Sequence, residues 1–106
     1  MSVRNPAQAR IRLPLDSIES FCRKRQIREM SLFGSVLRDD FTPDSDVDVL
    51  VTFEPKAHWS LWDFIDLRDE LSQLFQREVD VVSERGLRNP FRRHEILGSR
   101  QVVYAA

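Results

Sequence analysis

The sequence predicts an α/β (α+β) domain, a small mixed β-sheet of about three to five strands covered by helices. Three observations carry this. Helical and strand-like periodicities alternate in the order α-β-α-β-α-β-α-(β), the pattern of a sheet shielded by helices. The chain has 106 residues, 42% of them hydrophobic, which suits one packed domain and leaves no room for a second. Its apolar runs are short, and none approaches the roughly 18–20 residues of a membrane-spanning helix. No membrane role is expected.

Residues 1–13 read as a flexible N-terminal arm and 14–106 as the single domain. Asp16-x-x-Glu19 after Pro14 resembles a capping box. Ile18, Phe21 and Cys22 follow at helical spacing, so a helix is expected from about 16 to 26, with the basic end Arg23-Lys24-Arg25 matched to the helix dipole. REMSLF, 28–33, is the first expected strand. Gly34-Ser35 breaks it, and Val36-Leu37-Arg38 can make a short helix. DDFTPDS, 39–45, is turn chemistry. DVDVLVTF, 46–53, alternates and then becomes fully apolar, as a largely buried strand does. After a loop around Pro55, Ser60-x-x-Asp63 opens a longer helix whose stripe is Phe64, Leu67, Leu71, Leu74 and Phe75. EVDVV, 78–82, is a third strand. Asn89-Pro90 pairs an N-cap with proline at the first helical position, giving a short helix over about 90–97 that Gly98 is expected to end. Val102-Val103-Tyr104 suggests a last strand.

The net charge of −1 hides an uneven distribution. Residues 1–28 carry net +5, residues 29–84 net −10, and residues 85–106 net +4. An acidic centre between basic ends fits a lopsided solvated surface, or a cation site flanked by positive charge that attracts an anion. The single cysteine, Cys22, excludes an internal disulfide and any multi-cysteine zinc site. The opening residues lack a signal-peptide pattern, so a cytoplasmic location is expected.

The acidic centre contains the pattern that carries chemistry. In a strand, Asp46 and Asp48 point to one face and Val47, Val49 and Val51 to the other. Two carboxylates roughly 6–7 Å apart repel, which is best tolerated at a wet strand end or around a cation. Asp80, between Val79 and Val81, repeats the arrangement and can join them if the two strands are neighbours. Three oxygen ligands suit Mg²⁺. Gly34-Ser35 stands at a strand-to-helix turn upstream, where glycine allows close backbone approach, free N–H groups suit phosphate and Ser35 adds a hydroxyl. Together the residues read G-S-x10-D-x-D.

LFGSVLRDDFTPDSDVDVLVTF resembles the signature of polymerase-beta-type nucleotidyltransferases. More narrowly, it resembles the minimal nucleotidyltransferases, the small antitoxin-like partners of prokaryotic HEPN-domain toxins. The resemblance runs from the helix near 16 through EVDVVS to the terminal VVY. It implies the polymerase-beta-like fold, and that Gly34 and Ser35 hold nucleotide phosphates. It further implies that Asp46 and Asp48 hold two Mg²⁺ ions and that Asp80 completes the site on the nucleophile side. The function it implies is transfer of an NMP, AMP from ATP, to a tyrosine hydroxyl of a HEPN toxin, which is thereby neutralised in a toxin–antitoxin pair. Where the family often has glycine after the motif arginine, this chain has Asp39-Asp40 after Arg38, so the loop there is expected to differ in shape.

Two other functions remain open on the residues. The chain can be a binding module that neutralises a partner by complex formation, with catalysis weak or lost. It can also be a nucleic-acid end modifier, which the acidic centre disfavours. Arg85, Arg88, Arg92 and Arg93 fit a nucleic-acid patch, a solvated helix or an interface with an acidic partner. Arg38 suits either a phosphate contact or a surface ion pair. Trp59, Trp62 and Phe64 suit a partner-facing or base-stacking patch, with core packing expected for at least two of them. Cys22 and Tyr104 are expected to pack, Ser45 to order its turn, and His58 and His94 lack metal-ligand spacing.

Overall fold

Strand alternation sends successive side chains to opposite faces of a sheet, and this protein uses its two faces differently. A computed structural model describes residues 11–106. Its four strands are β1 (Ile27–Phe33), β2 (Val47–Phe53), β3 (Val79–Ser83) and β4 (Gln101–Ala105), ordered β3-β2-β1-β4. β1 is antiparallel to β2 and β4, while β2 and β3 are parallel. That parallel pair needs a crossover, supplied by helix α2 (Leu61–Phe75). Helix α1 (Leu15–Lys24) precedes the sheet, and helix α3 (Pro90–Ser99) joins β3 to β4.

One face is closed. Met30, Leu32, Val47, Val49 and Val51 meet Ile18 and Cys22 of α1 and Leu67 and Leu71 of α2, all with no exposure. Burial pushes the Cys22 thiol up to about 12, leaving an inert core group. Glu70 of α2 accepts hydrogen bonds from Lys24 and Arg25, the latter at 2.6 Å, and so ties the end of α1 to α2. Burial raises the Glu70 carboxyl, but the two cations outweigh it and hold the group below its ordinary value. The expected Ser60–Asp63 box is present in full, with both hydrogen bonds at 3.1 Å.

The other face is open over part of its area. Phe33, Leu50, Leu87 and Ile96 form a smaller cluster beneath α3, with Val82 and Leu97 against it. Ser31 shares this face and is 1% exposed, yet its hydroxyl has no partner among the described residues.

Several boundaries differ from the sequence expectation. Pro14 precedes α1 and no side chain caps it, so Asp16 and Glu19 do not form the capping box. The fixed φ of Pro14 starts the helix one residue early, and Glu19 instead reaches Arg23 at 3.3 Å. Gly98 does not end α3. The helix runs through it to Ser99, because an exposed glycine costs a helix only about 1 kcal/mol. Of the expected arm over 1–13, residues 1–10 lie outside the described residues, while Ile11 and Leu13 pack against the closed-face core. Trp59 packs against Phe53, ring centroids 4.5 Å apart, and Phe64 is half-buried beside them. Trp62 is 75% exposed.

Candidate active site

Asp48 and Asp80 are register partners in the parallel β2–β3 ladder. Partner residues in such a ladder share a face and lie about 4.8 Å apart, so the two carboxylates stand side by side on the open face. They lie at the start of their strands, beyond the edge of the Leu50 cluster. Asp46 immediately precedes β2 and is exposed. The strand thus begins one residue later than expected. The Val47 amide nevertheless donates to the Glu78 carbonyl at 2.9 Å, which keeps Asp46 close to the start of β3.

The electrostatics follow from this crowding. Partial burial raises the Asp48 carboxyl above its ordinary value, and the charges of Asp80 and then Asp46 raise it further, while Arg92 and Arg38 pull it down. Asp80 and Asp46 are thus both near enough for their charges to act on Asp48. Among the described residues, however, no three His, Cys, Asp or Glu side chains gather tightly enough to hold a metal ion by themselves.

Gly34 follows β1, whose last residue, Phe33, lies opposite Asp48. Gly34 has φ +78°, and a Cβ built on it would overlap the Asp48 carboxylate, standing 3.3 Å from its Cγ. Glycine is required here twice over, by backbone conformation and by the approach of the acid. The expected helix after Gly34-Ser35 is a four-residue 3-10 turn, Gly34–Leu37, with no side-chain cap. A turn this short has little macrodipole. Any phosphate contact therefore rests on individual amides and on the Ser35 hydroxyl, which makes no hydrogen bond among the described residues. Arg38 ends the turn and pairs with Asp40 at 3.2 Å, an exposed contact.

The loop before Asp46 is held by a residue that sequence reasoning misses. Arg77 donates to the carbonyls of Ser45 (3.0 Å) and Thr42 (3.3 Å) and stacks over Phe41 at 4.6 Å. Within the loop the Thr42 amide donates to the Ser45 hydroxyl at 3.0 Å, so Ser45 orders the turn as expected. The one available signal was position: Arg77 lies two residues before the strand that carries Asp80. A polar cleft of about 520 Å³ runs from Asp46 and Asp80, without Asp48, to Arg68, Asp69 and Ser72 of α2, with Glu78 between them.

A four-stranded mixed sheet, a Gly-Ser turn and strand-borne acids on one face define a nucleotidyltransferase. The nucleotidyltransferase domain family matches residues 15–103, and the chain belongs to it. Protein adenylyltransferase MntA of Thermococcus cleftensis is 36% identical over 100 residues, 87% of this chain and 96% of that protein. A solved structure described as a candidate minimal nucleotidyltransferase is 36% identical, with a TM-score of 0.67 over 81% of this chain and 85% of that one. A structure of a tri-AMPylated Shewanella oneidensis HEPN toxin with its MNT antitoxin matches at TM-score 0.60 and 18% identity, covering 87% of this chain and 70% of that one. At that identity the likeness is one of fold. The chain is therefore a nucleotidyltransferase, similar to the minimal kind. Among the described residues no helix is long and apolar enough to cross a membrane.

Proposed function

We propose that residues 14–106 form a Mg²⁺-dependent adenylyltransferase. It moves AMP from ATP to a tyrosine hydroxyl of a HEPN-domain partner and so neutralises a toxin in the cytoplasm. The observation that carries the reading is the register pairing of Asp48 with Asp80 beside the glycine that Asp48 abuts. The donor set fits the ion. Mg²⁺ favours one or two carboxylates completed by waters and substrate phosphates over a closed protein cage, and Asp46, Asp48 and Asp80 would hold it. When bound, it supplies positive charge that acidifies the acceptor hydroxyl and neutralises the polyphosphate.

The remaining work falls to the chain. The amides of the Gly34 turn and the Ser35 hydroxyl bind and orient the phosphates. The acceptor oxygen attacks the α-phosphorus, the bond from that phosphorus to the bridging oxygen breaks, and pyrophosphate leaves. Asp80, the most exposed side of the ladder pair, is placed to receive the hydroxyl proton. What supports AMP as the group transferred and a HEPN protein as acceptor is the naming of the similar proteins.

The test is label transfer from ATP to a purified HEPN partner, by the native chain and by Asp48→Asn. Asn keeps the shape but not the charge, so transfer should vanish while the melting curve stays cooperative. A mutant with most of its activity would sink the reading. A second reading, neutralisation by binding alone, draws on the acids' not being gathered into a ligand set. It is favoured if Asp46→Asn still neutralises the partner on co-expression.

A further inference from the structure

We propose that Arg77 is a positioning residue for the acidic site: it fixes the direction of the Asp46 carboxylate relative to Asp80, and so sets how tightly the site holds a divalent cation. This rests on the nucleotidyl-transfer reading above, in which Asp46 is a ligand.

Peptide units are planar, so a residue's side chain is aimed by the two soft dihedrals between its flanking planes. Hold both planes, and the direction of the side chain from the backbone is fixed. Both planes around Asp46 are held, and by adjacent residues. The plane before Asp46 carries the Ser45 carbonyl, which accepts from Arg77 Nη1 at 3.0 Å. The plane after it carries the Val47 amide, which donates to the Glu78 carbonyl at 2.9 Å. Arg77 and Glu78 lead directly into β3. The two residues that grip Asp46 therefore also begin the strand of Asp80. The Glu78 contact is backbone to backbone, whereas the Arg77 contact is made by a side chain and a substitution can remove it.

Arg77 is anchored well enough to act as a post. Its own amide donates to the Ser72 carbonyl at 3.1 Å, where α2 ends in the left-handed residue Gln76. The same Nη1 donates to the Thr42 carbonyl at 3.3 Å, and the guanidinium lies over the Phe41 ring at 4.6 Å. Phe41 in turn packs against the closed-face core. One side chain thus ties the loop over 41–45 to the end of α2. Hydrogen bonds from a charged donor are the stronger kind, and a planar cation also stacks on a ring, as a compact ammonium does less well. Asp46 has need of such a grip. It is exposed and precedes β2, so its backbone rather than burial holds it in place. Left loose, its carboxylate would be driven away from Asp48 and Asp80 by like charge.

The test is a titration of Mn²⁺, a paramagnetic stand-in for Mg²⁺, read by electron paramagnetic resonance with and without a non-hydrolysable ATP analogue. It needs neither partner nor turnover. The native chain is compared with Arg77→Ala, Arg77→Lys and Ser60→Ala, each at a folded fraction known from its melting curve. Arg77→Ala should bind Mn²⁺ about tenfold more weakly, the scale on which loss of a ligand-orienting group acts. Arg77→Lys keeps the charge and its donors but not the planar face on Phe41, and should fall between alanine and the native chain. Ser60→Ala weakens the α2 cap without touching the loop, and should bind Mn²⁺ like the native chain. Unchanged binding by Arg77→Ala overturns the proposal. Equal weakening in Arg77→Ala and Ser60→Ala also overturns it, because loss of stability would then account for both. If Arg77→Ala does not melt cooperatively, Arg77→Lys decides, and binding as tight as the native chain's overturns the proposal. A native chain that binds no Mn²⁺ into the millimolar range, with or without the analogue, would overturn both this proposal and the reading beneath it.

Discussion

The two faces of the sheet divide the molecule's tasks. On the closed face, the buried side chains of two helices and all four strands interlock, and the charged groups nearby are paired, as Glu70 is with Lys24 and Arg25. On the open face, a four-residue cluster shares the surface with crowded carboxylates and a buried hydroxyl that has no partner among the described residues. A carboxyl such as that of Asp48, raised by burial and by neighbouring acids, is poor for stability and good for catalysis. Damage to the closed face should cost stability and leave chemistry intact in whatever remains folded. Damage to the open face should do the reverse.

The largest effect expected is from Gly34→Ala on the open face. It forces a left-handed φ on alanine and drives a methyl into the Asp48 carboxylate, so label transfer should be lost. If transfer persists, the Gly34 turn is not part of the site. The complementary break is Leu71→Ala. A fully buried leucine cut to alanine costs about 2–5 kcal/mol, read as a lower denaturant midpoint. Transfer per folded molecule should be unchanged, and a specific loss of activity would erase the division between faces.

Smaller effects sharpen the contrast. Mg-ATP at about 100 times its Kd should add ~2.7 kcal/mol, a melting shift on the order of 10 °C for a domain of this size. Asp46→Asn should remove most of that shift, and an equal shift in both proteins would put the nucleotide elsewhere. Ser60→Ala removes one half of the α2 capping box and should cost about 1 kcal/mol with no change in nucleotide binding.

The smallest effect is in pH. Asp48 has a raised folded value, so the folded state holds its proton more tightly than the unfolded chain. Its ionised form therefore destabilises the fold above the folded pKa, and the penalty fades as pH falls toward the unfolded value near 4. Asp48→Asn should melt higher than the native chain at pH 7, and the gap should close on acidification. A gap that widens would contradict the crowding.

What was legible in the sequence was what local chemistry determines. Ser60-x-x-Asp63 and Asn89-Pro90 form their caps because each needs only residues within one turn. The D-V-D-V alternation places Asp48 because a strand has one period. The Asp16-x-x-Glu19 pattern misleads because a neighbouring proline moved the helix start. Other features depend on the tertiary arrangement. Asp80 becomes a partner of Asp48 only through the β2–β3 register. Arg77 acts on loop carbonyls more than thirty residues earlier in the chain.

β3 is an edge strand, five residues long and paired on one side only, through a parallel ladder. Parallel ladders are somewhat the weaker kind, and edge strands lack the second row of hydrogen bonds. Asp80, the carboxylate proposed to complete the site, is thus mounted on a strand with one bonded neighbour, while Asp48 sits on a strand with two. Amide hydrogens of β3 should exchange with deuterium faster than those of β2, reporting local openings that cost less than global unfolding. Each such opening would remove Asp80 from Asp48 without melting the core, so with Asp80 in its proposed role the fraction of time the enzyme is competent would be set by its edge strand, not by its melting temperature.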